Sequence, residues 1–378
     1  MPANRADIAI VGGGILGLAH AYAAARKGRS VVVFERSPKA TGASIRNFGM
    51  IWPIGQAAGA IHELALRSRE IWLDVLRRSG LPYIPTGSLH VVYRDDEAAV
   101  AREFSEIAPP LGYECQWFSP DEVLSKSHAV RAEGLCGALW SPLELTVDPR
   151  SILAKLPAFL AEQWNVKFRF DCAVHAIQLP LVEAGDERWE VDGAIVCSGD
   201  DFATLFPSLL APCGLTRCKL QMMRTVPQPG EWQLGPSLAA GLTLRYYPAF
   251  QICTTLTKLK QRVAAEMPEY DHFGIHLLVS QTEHGELTVG DSHEYGAVVD
   301  IFDKPEIDQL ILRYAQTFLE TPTLEIAQRW HGVYARHPEK PFVSLDAEPG
   351  VRIVTAVGGS GMTLSFGLGE QTVNEMGI

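Results

Sequence analysis

Gly12-Gly13-Gly14-Ile15-Leu16-Gly17, followed eighteen residues after Gly17 by Glu35, are the residues of this chain best equipped for chemistry. Gly12 permits a tight turn, Gly14 lets a pyrophosphate approach the backbone N–H groups at a helix start, and Gly17 lets that helix lie close to a sheet. Glu35 can accept hydrogen bonds from both ribose hydroxyls of an adenosine moiety. The elements needed to position them surround them. Residues 7–11 read as a short buried strand, 15–27 as an alanine-rich helix ended by Gly28, and 30–34 as a second apolar strand. Strand, loop, helix, strand and acid within one thirty-residue unit define a dinucleotide site, without separating NAD from FAD. The nearly uncharged run 8–25 is not read as a membrane span, because three consecutive glycines, His20 and the βαβ continuation oppose it.

The chain has 378 residues, enough for two domains or one large interleaved unit. Its formal charge of −11 disfavours nucleic acid as a partner, so an anionic substrate requires a locally basic pocket. Seven scattered cysteines form no CxxC pair and read as reduced core thiols of a cytoplasmic protein. The nucleotide unit starts within seven residues of Met1, which is read as leaving no room for a signal peptide.

After Glu35 and Arg36 comes the segment 41–50, rich in small and hydrogen-bonding residues. Ser44, Arg46 and Asn47 offer donors to phosphates or a ring, and a plain surface loop of turn formers is the competing reading. Far downstream, residues 351–369 read as an apolar strand, the cluster Gly358-Gly359-Ser360-Gly361-Met362, and a helix start. Backbone N–H groups at such a start stabilise negative charge.

Together, residues 7–36 and the run Gly42-Ala43-Ser44-Ile45-Arg46-Asn47-Phe48-Gly49-Met50 resemble the opening of the FAD-dependent amine and amino-acid oxidoreductases, the group of glycine oxidase, sarcosine oxidase and D-amino-acid oxidase. The shorter run 44–56, SIRNFGMIWPIGQ, resembles a branch found beside phosphonate-degrading enzymes. The resemblance implies an α/β, Rossmann-like FAD-binding domain (residues 1–82, 144–214 and 326–378). It is interleaved with an α+β substrate domain built on an antiparallel sheet (83–143 and 215–325). It also implies FAD contacts from Gly12, Gly14, Ile15, Leu16, Gly17, Glu35 and Arg36, then from Ala43, Ser44, Arg46, Asn47, Phe48, Gly49 and Met50. Val174 would hold the adenine through its backbone, Ser198 and Gly199 would lie at the carboxyl edge of the sheet, and Gly332 would sit in a W-x-G segment beside the flavin. Gly359, Ser360, Gly361, Met362, Thr363 and Leu364 would face the pyrimidine end of the isoalloxazine. No cysteine follows Cys253, so FAD is expected to be non-covalent.

Between these anchors, 59–79 reads as an amphipathic helix, 87–93 as a strand, 95–108 as a charged helix, and 119–122 as a capped helix start. Residues 150–165 read as a helix carrying Pro157, and 166–174 and 192–199 as strands. Residues 219–225, 242–252, 274–280 and 286–289 read as strands of the antiparallel sheet, and 304–319 and 321–325 as helical connections.

The chemistry implied by the resemblance is oxidation of a C–N bond, with hydride passing to flavin N5 and water hydrolysing the imine. A protonated nitrogen has no lone pair to drive hydride loss, so the site must keep the amine neutral. Oxygen, or another acceptor in a dehydrogenase, would reoxidise the flavin. In many members an arginine two residues past the W-x-G glycine grips the substrate carboxylate; here Tyr334 stands there, with Arg336 two further on. That departure argues against a simple α-amino acid and leaves an amino- or N-methylamino-phosphonate as a candidate. Arg245 and Arg336 are candidate anion ligands, and Tyr246, Tyr247, His331, Tyr334 and His337 candidate polar liners; a structural role competes for each. His272 and His276 have i,i+4 spacing but no surrounding carboxylate or cysteine framework, so no metal is expected. An NAD-linked dehydrogenase and a non-catalytic flavin-binding protein remain alternatives. The second glycine cluster opposes the first, since an NAD domain does not need its last strand to return to the ring.

Overall fold

A computed structural model of the protein describes residues 4–378. Ile8–Val11 is wholly buried and runs through the interior of a six-stranded sheet. It is parallel to Val31–Phe34 on one side (Ile8 opposite Val31) and to Gly193–Val196 on the other (Ile8 opposite Gly193). Lys167–Arg169 and Val351–Thr355 extend the sheet in parallel, and Val343–Glu348 closes one edge antiparallel. A parallel sheet covered on both faces needs strands that are apolar on both sides, which is why these runs do not alternate.

The two faces have different cover. Ile8 and Ile10 pack among the helices Ile15–Arg26, Ala60–Ser79, Pro149–Trp164 and Gly361–Met376. Ala9 and Val11 pack against a four-stranded sheet formed by Asn4–Arg5, Val174–Gln178, Leu181–Ala184 and Glu187–Glu190. The expected strand over 166–174 is therefore two strands in different sheets, Lys167–Arg169 and Val174–Gln178. Asp171, at φ 53°, makes the turn between them.

The second sheet has nine strands. Thr216–Pro227 and Ile326–Arg336 form its longest antiparallel pair, with Cys218 opposite Tyr334 and Leu220 opposite Gly332. The sheet is mixed, because Ser237–Ala240, which periodicity did not reveal, runs parallel to Ser88–Val92. Residues 242–252 are not a strand. They form two 3-10 turns, Gly241–Arg245 and Pro248–Ile252, because Pro248 has no N–H for a ladder. Residues 321–325 are not helical either, with Pro322 leading directly into the strand Ile326–Arg336. That strand pairs with Thr216–Pro227 in the large sheet. Pro157 does not end its helix, which runs from Pro149 to Trp164. No helix among the described residues is long and apolar enough to cross a membrane.

The two parts are joined by a buried ion pair. Asp148 caps the helix Pro149–Trp164 by accepting from the Arg150 N–H at 3.2 Å, and also accepts from Arg224 Nη2 at 3.2 Å. Both side chains are almost fully buried, 4% and 6% exposed for Arg224 and Asp148. Removing one charge leaves the other desolvated without its partner, at a cost of about 3–5 kcal/mol. Arg224→Met is expected to lower the thermal unfolding midpoint sharply, whereas Arg78→Met, which breaks an exposed helix-surface pair with Asp74, leaves it nearly unchanged. Thermal melts of the two variants check this.

Candidate flavin and substrate site

The turn out of Ile8–Val11 can be made only by glycine. Gly12 has φ 105°, and a Cβ there would lie 2.3 Å from the Cys197 carbonyl oxygen. A Cβ on Gly17 would lie 1.9 Å from the Gly12 carbonyl oxygen, so the first turn of Ile15–Arg26 is in backbone contact with the loop. Gly14 is the N-cap and contributes no side chain. The Ser44 hydroxyl, 3.0 Å from the Ile15 N–H, accepts a hydrogen bond there. Glu35 ends the next strand and accepts from the Gly13 N–H at 2.9 Å and the Ser37 N–H at 3.0 Å. Its carboxylate is thereby held across the loop, the position from which it can meet a ribose. Cys172 N–H donates to the Glu35 carbonyl at 3.0 Å, and Val174 follows at the start of its strand. Arg36 is tied to Asp201 at 2.9 Å.

The segment 43–50 is shaped by its own side chains. Asn47 Nδ2 donates to the carbonyls of Ala43 (3.1 Å) and Ser44 (2.8 Å), and its Oδ1 accepts from Gly49 N–H at 2.7 Å. Gly49, at φ 74°, packs directly on the Val147 carbonyl. Phe48 and Met50 turn their side chains into the core of the large sheet, which leaves backbone as their means of reaching a cofactor. Arg46 Nη1 donates to the His331 carbonyl at 3.2 Å, Trp330 Nε1 donates to the Arg46 carbonyl at 3.3 Å, and Gly332 lies against Arg46. The segment that reads as a loop in sequence is thus docked on the W-x-G strand.

The C-terminal turn reaches the same place. Thr355 Oγ1 donates to the Gly199 carbonyl at 2.8 Å, joining the ends of two parallel strands, and Ser198 Oγ donates to the Asp201 carbonyl. Ala356 (φ 55°) and Gly358 (φ 56°) then reverse the chain into Gly358–Ser360 and the helix Gly361–Met376. No side chain caps that helix start. Met362 and Leu364 are buried, the Met362 carbonyl accepts from Trp72 Nε1 at 2.7 Å, and Thr363 Oγ1 accepts from Trp52 N–H at 2.9 Å. The Ser360 N–H is taken by the Val357 carbonyl at 3.1 Å, so the backbone of Gly359 and Gly361 is what this turn could offer a ligand.

On the substrate side, Tyr334 and Tyr246 meet hydroxyl to hydroxyl at 3.4 Å, and burial raises both phenol pKa values well above the usual range. A Cβ on Gly359 would lie 3.6 Å from the Tyr334 hydroxyl, which places this pair beside the C-terminal turn. Tyr247 stands edge-on to Tyr246 and touches Gly55. Arg336 lies 4.6 Å over the Tyr295 ring. Arg245 is already engaged, donating to Asp271 at 2.6 Å and to the carbonyls of Tyr270 and Ile275, so the structure gives it a bracing role. His337 Nδ1 accepts from the N–H groups of Glu339 and Lys340 in the following turn. His331 contacts Asp303 at 2.8 Å and, with Ile45, Arg46, Arg150, Asp303 and Trp330, lines a cleft of about 460 Å³. Arg150, which stacks 5.3 Å over Trp330, carries no motif in the sequence; its helix brings it there. His276 and His293, whose rings flank Tyr246 at 3.9 and 4.4 Å, were likewise not legible as a pair.

A glycine loop with an acid held across it, reached by a second glycine turn from the far end of the chain, is the arrangement expected of a flavin-dinucleotide protein. The family model described as DAO, FAD dependent oxidoreductase, matches residues 7–375, and the chain belongs to that family. It is 27% identical over 161 residues to glycine oxidase of Geobacillus kaustophilus (strain HTA426), a match spanning 40% of this chain and 43% of that protein. The crystal structure of glycine oxidase from Geobacillus kaustophilus superposes with a TM-score of 0.78 at 18% identity, covering 99% of this chain and 95% of that one. Dithionite-reduced L-α-glycerophosphate oxidase from Mycoplasma pneumoniae, with FAD bound, gives 0.77 at 18% identity over 99% and 95%. The protein is therefore an FAD-dependent oxidoreductase, and the loop, Glu35 and the two helix starts fit that cofactor.

Gly17→Ala is expected to strip the protein of most of its flavin, since the added methyl displaces the loop that must carry the pyrophosphate; the flavin-to-protein absorbance ratio measures this. Acid precipitation of the wild-type protein is expected to leave the flavin in the supernatant, as befits a chain whose last cysteine is Cys253. A yellow pellet would show a covalent bond.

Proposed function

We propose that the protein oxidises the C–N bond of a small amine carrying an anionic group, with an amino- or N-methylamino-phosphonate as the candidate class. The cleft between the segment 43–50 and the Trp330-His331 strand carries the proposal. Arg46 and Arg150 give it a basic lining in a chain of net charge −11. Tyr334, standing where relatives of this type carry an arginine, cannot form the bidentate pair a carboxylate prefers. A phosphonate is not planar and suits separated donors such as Arg46 and Arg150. The names of similar proteins, glycine oxidase and iminodiacetate oxidase among them, support an amine or amino acid as the reacting part.

FAD, when bound, accepts the hydride at N5. The protein's part is to hold the carbon in place and keep the nitrogen neutral. The buried phenols of Tyr246 and Tyr334 stay protonated, so they add no negative charge that would stabilise an ammonium, and the low-dielectric surroundings favour the free amine.

Anaerobic titration of the yellow holoprotein is the test. 2-Aminoethylphosphonate or its N-methyl derivative is expected to bleach the flavin faster than glycine or sarcosine at equal concentration. Arg150→Met is expected to raise the KM for the phosphonate about tenfold or more, the scale of one charge-assisted contact, without altering flavin content. Bleaching by glycine alone would refute the anionic-head assignment, and no bleaching by any amine would refute the reaction class. Oxygen uptake during turnover separates oxidase from dehydrogenase.

A further inference from the structure

Beneath Tyr246, three side chains from two adjacent chain segments converge. Asp291 and His293 follow the strand Glu286–Gly290, and His276 precedes Leu278–Gln281. Asp291 N–H donates to the His276 carbonyl at 3.0 Å, and His293 N–H to the Phe273 carbonyl at 2.8 Å, so the backbone sets the three in register. His276 Nε2 lies 3.5 Å from Asp291 Oδ1, and His293 Nε2 lies 3.8 Å from Asp291 Oδ2. One donor atom from each residue falls within 4.8 Å of the other two.

The hydrogen bonding of this cluster is incomplete. His276 Nδ1 and Nε2 and Asp291 Oδ1 are buried with no partner, although all three side chains are at most 7% exposed. A buried polar group left unpaired is costly. His293 is oriented: the Gly274 carbonyl, 3.1 Å from its Nδ1, can only accept, so Nδ1 carries the proton and the Nε2 lone pair faces Asp291. Gly274, at φ 56°, allows this approach, since a Cβ there would strike His293. The nearby Arg245 is neutralised by Asp271.

We propose that His276, Asp291 and His293 form a binding site for a divalent transition-metal ion of the zinc class. Bonds of about 2.0–2.1 Å in a tetrahedral site set ligand atoms roughly 3.3 Å apart; the 3.5 and 3.8 Å contacts reach different oxygens of Asp291, and the three donor atoms lie within 4.8 Å of one another, so the side chains would close on the ion by up to about 1.5 Å. Two imidazoles and one carboxylate leave a fourth position for water or an oxyanion. The ion would satisfy two of the orphaned atoms, His276 Nε2 and Asp291 Oδ1. The site is a separate feature from the FAD loop, and its occupancy does not depend on the substrate proposed above.

In sequence, His276 stands at i,i+4 spacing from His272, a pair with no carboxylate or cysteine around it. The structure separates those two, leaving His272 exposed at the end of Pro268–His272, and supplies His276 with the carboxylate and second imidazole from residues 291 and 293.

The test uses chelator-treated, flavin-loaded protein equilibrated with Zn²⁺ and then with Co²⁺. One Zn²⁺ per chain is expected by elemental analysis after gel filtration, and Co²⁺ is expected to give ligand-field bands to the red of the flavin absorption, marking tetrahedral nitrogen and oxygen coordination. His293→Ala and Asp291→Ala should weaken binding by roughly tenfold or more, while His272→Ala should not. Failure of the wild-type protein to retain either ion overturns the proposal, as does retention unchanged in both ligand variants. The wild-type cobalt spectrum decides the matter even if a variant fails to fold.

Discussion

Everything at the flavin site depends on how closely two helices from opposite ends of the chain can approach. Ile15–Arg26 and Gly361–Met376 pack side by side on one face of the parallel sheet. At Gly369 a Cβ would lie 2.7 Å from the Ala19 carbonyl, and on the other side, at Gly367, one would lie 2.6 Å from the carbonyl of Leu64 in a third helix, Ala60–Ser79. Only hydrogen at these positions lets the backbones meet. The contact carries the turn at 358–361 to the side of the loop at 12–17, with Leu16, Val357 and Leu364 in one apolar cluster. Tyr22 and Trp72 edge against Phe366 and fill the space around the contact.

The same economy explains how the segment 43–50 acquires a fixed shape. It has little apolar surface of its own, yet Asn47 bonds three backbone groups within it and Gly49 sits on Val147. Its attachment to the W-x-G strand through Arg46 and Trp330 couples the nucleotide part to the large sheet. The Arg224–Asp148 pair makes a second connection between them, at a helix cap. Cofactor and substrate regions are therefore braced against each other by directional polar contacts, in addition to apolar burial. Such contacts set orientation, which a hydride transfer requires.

The large sheet supplies the more specialised chemistry. Its strands present Tyr334 from Ile326–Arg336 toward Tyr246, and the chain entering and leaving the hairpin at 278–290 adds His276, Asp291 and His293 behind that pair. Burial governs this region. It raises the Tyr246 and Tyr334 phenols, so both keep their protons. An enclosed environment without phenolate charge is suited to a free amine.

The nucleotide half was legible because its determinants are local. A tight turn, a close helix and an acid at fixed spacing are all encoded within thirty residues, and the C-terminal glycine cluster repeats the same backbone logic. Helix starts at 60, 95, 120 and 361 followed from periodicity and capping for the same reason. What tertiary structure alone decided is everything that depends on non-local pairing. Ser237–Ala240 is a strand because Ser88–Val92 offers it a parallel edge, and 242–252 is not one because its chain turns at Gly241–Arg245 and Pro248 has no N–H for a ladder. Arg150 enters the cleft because its helix is capped against Arg224. His276 meets Asp291 and His293 through the pairing of two chain segments, whereas the i,i+4 spacing visible in sequence joined it to the wrong histidine. Sequence spacing reports neighbours along a helix or strand; it carries no record of which strands the sheet will set side by side.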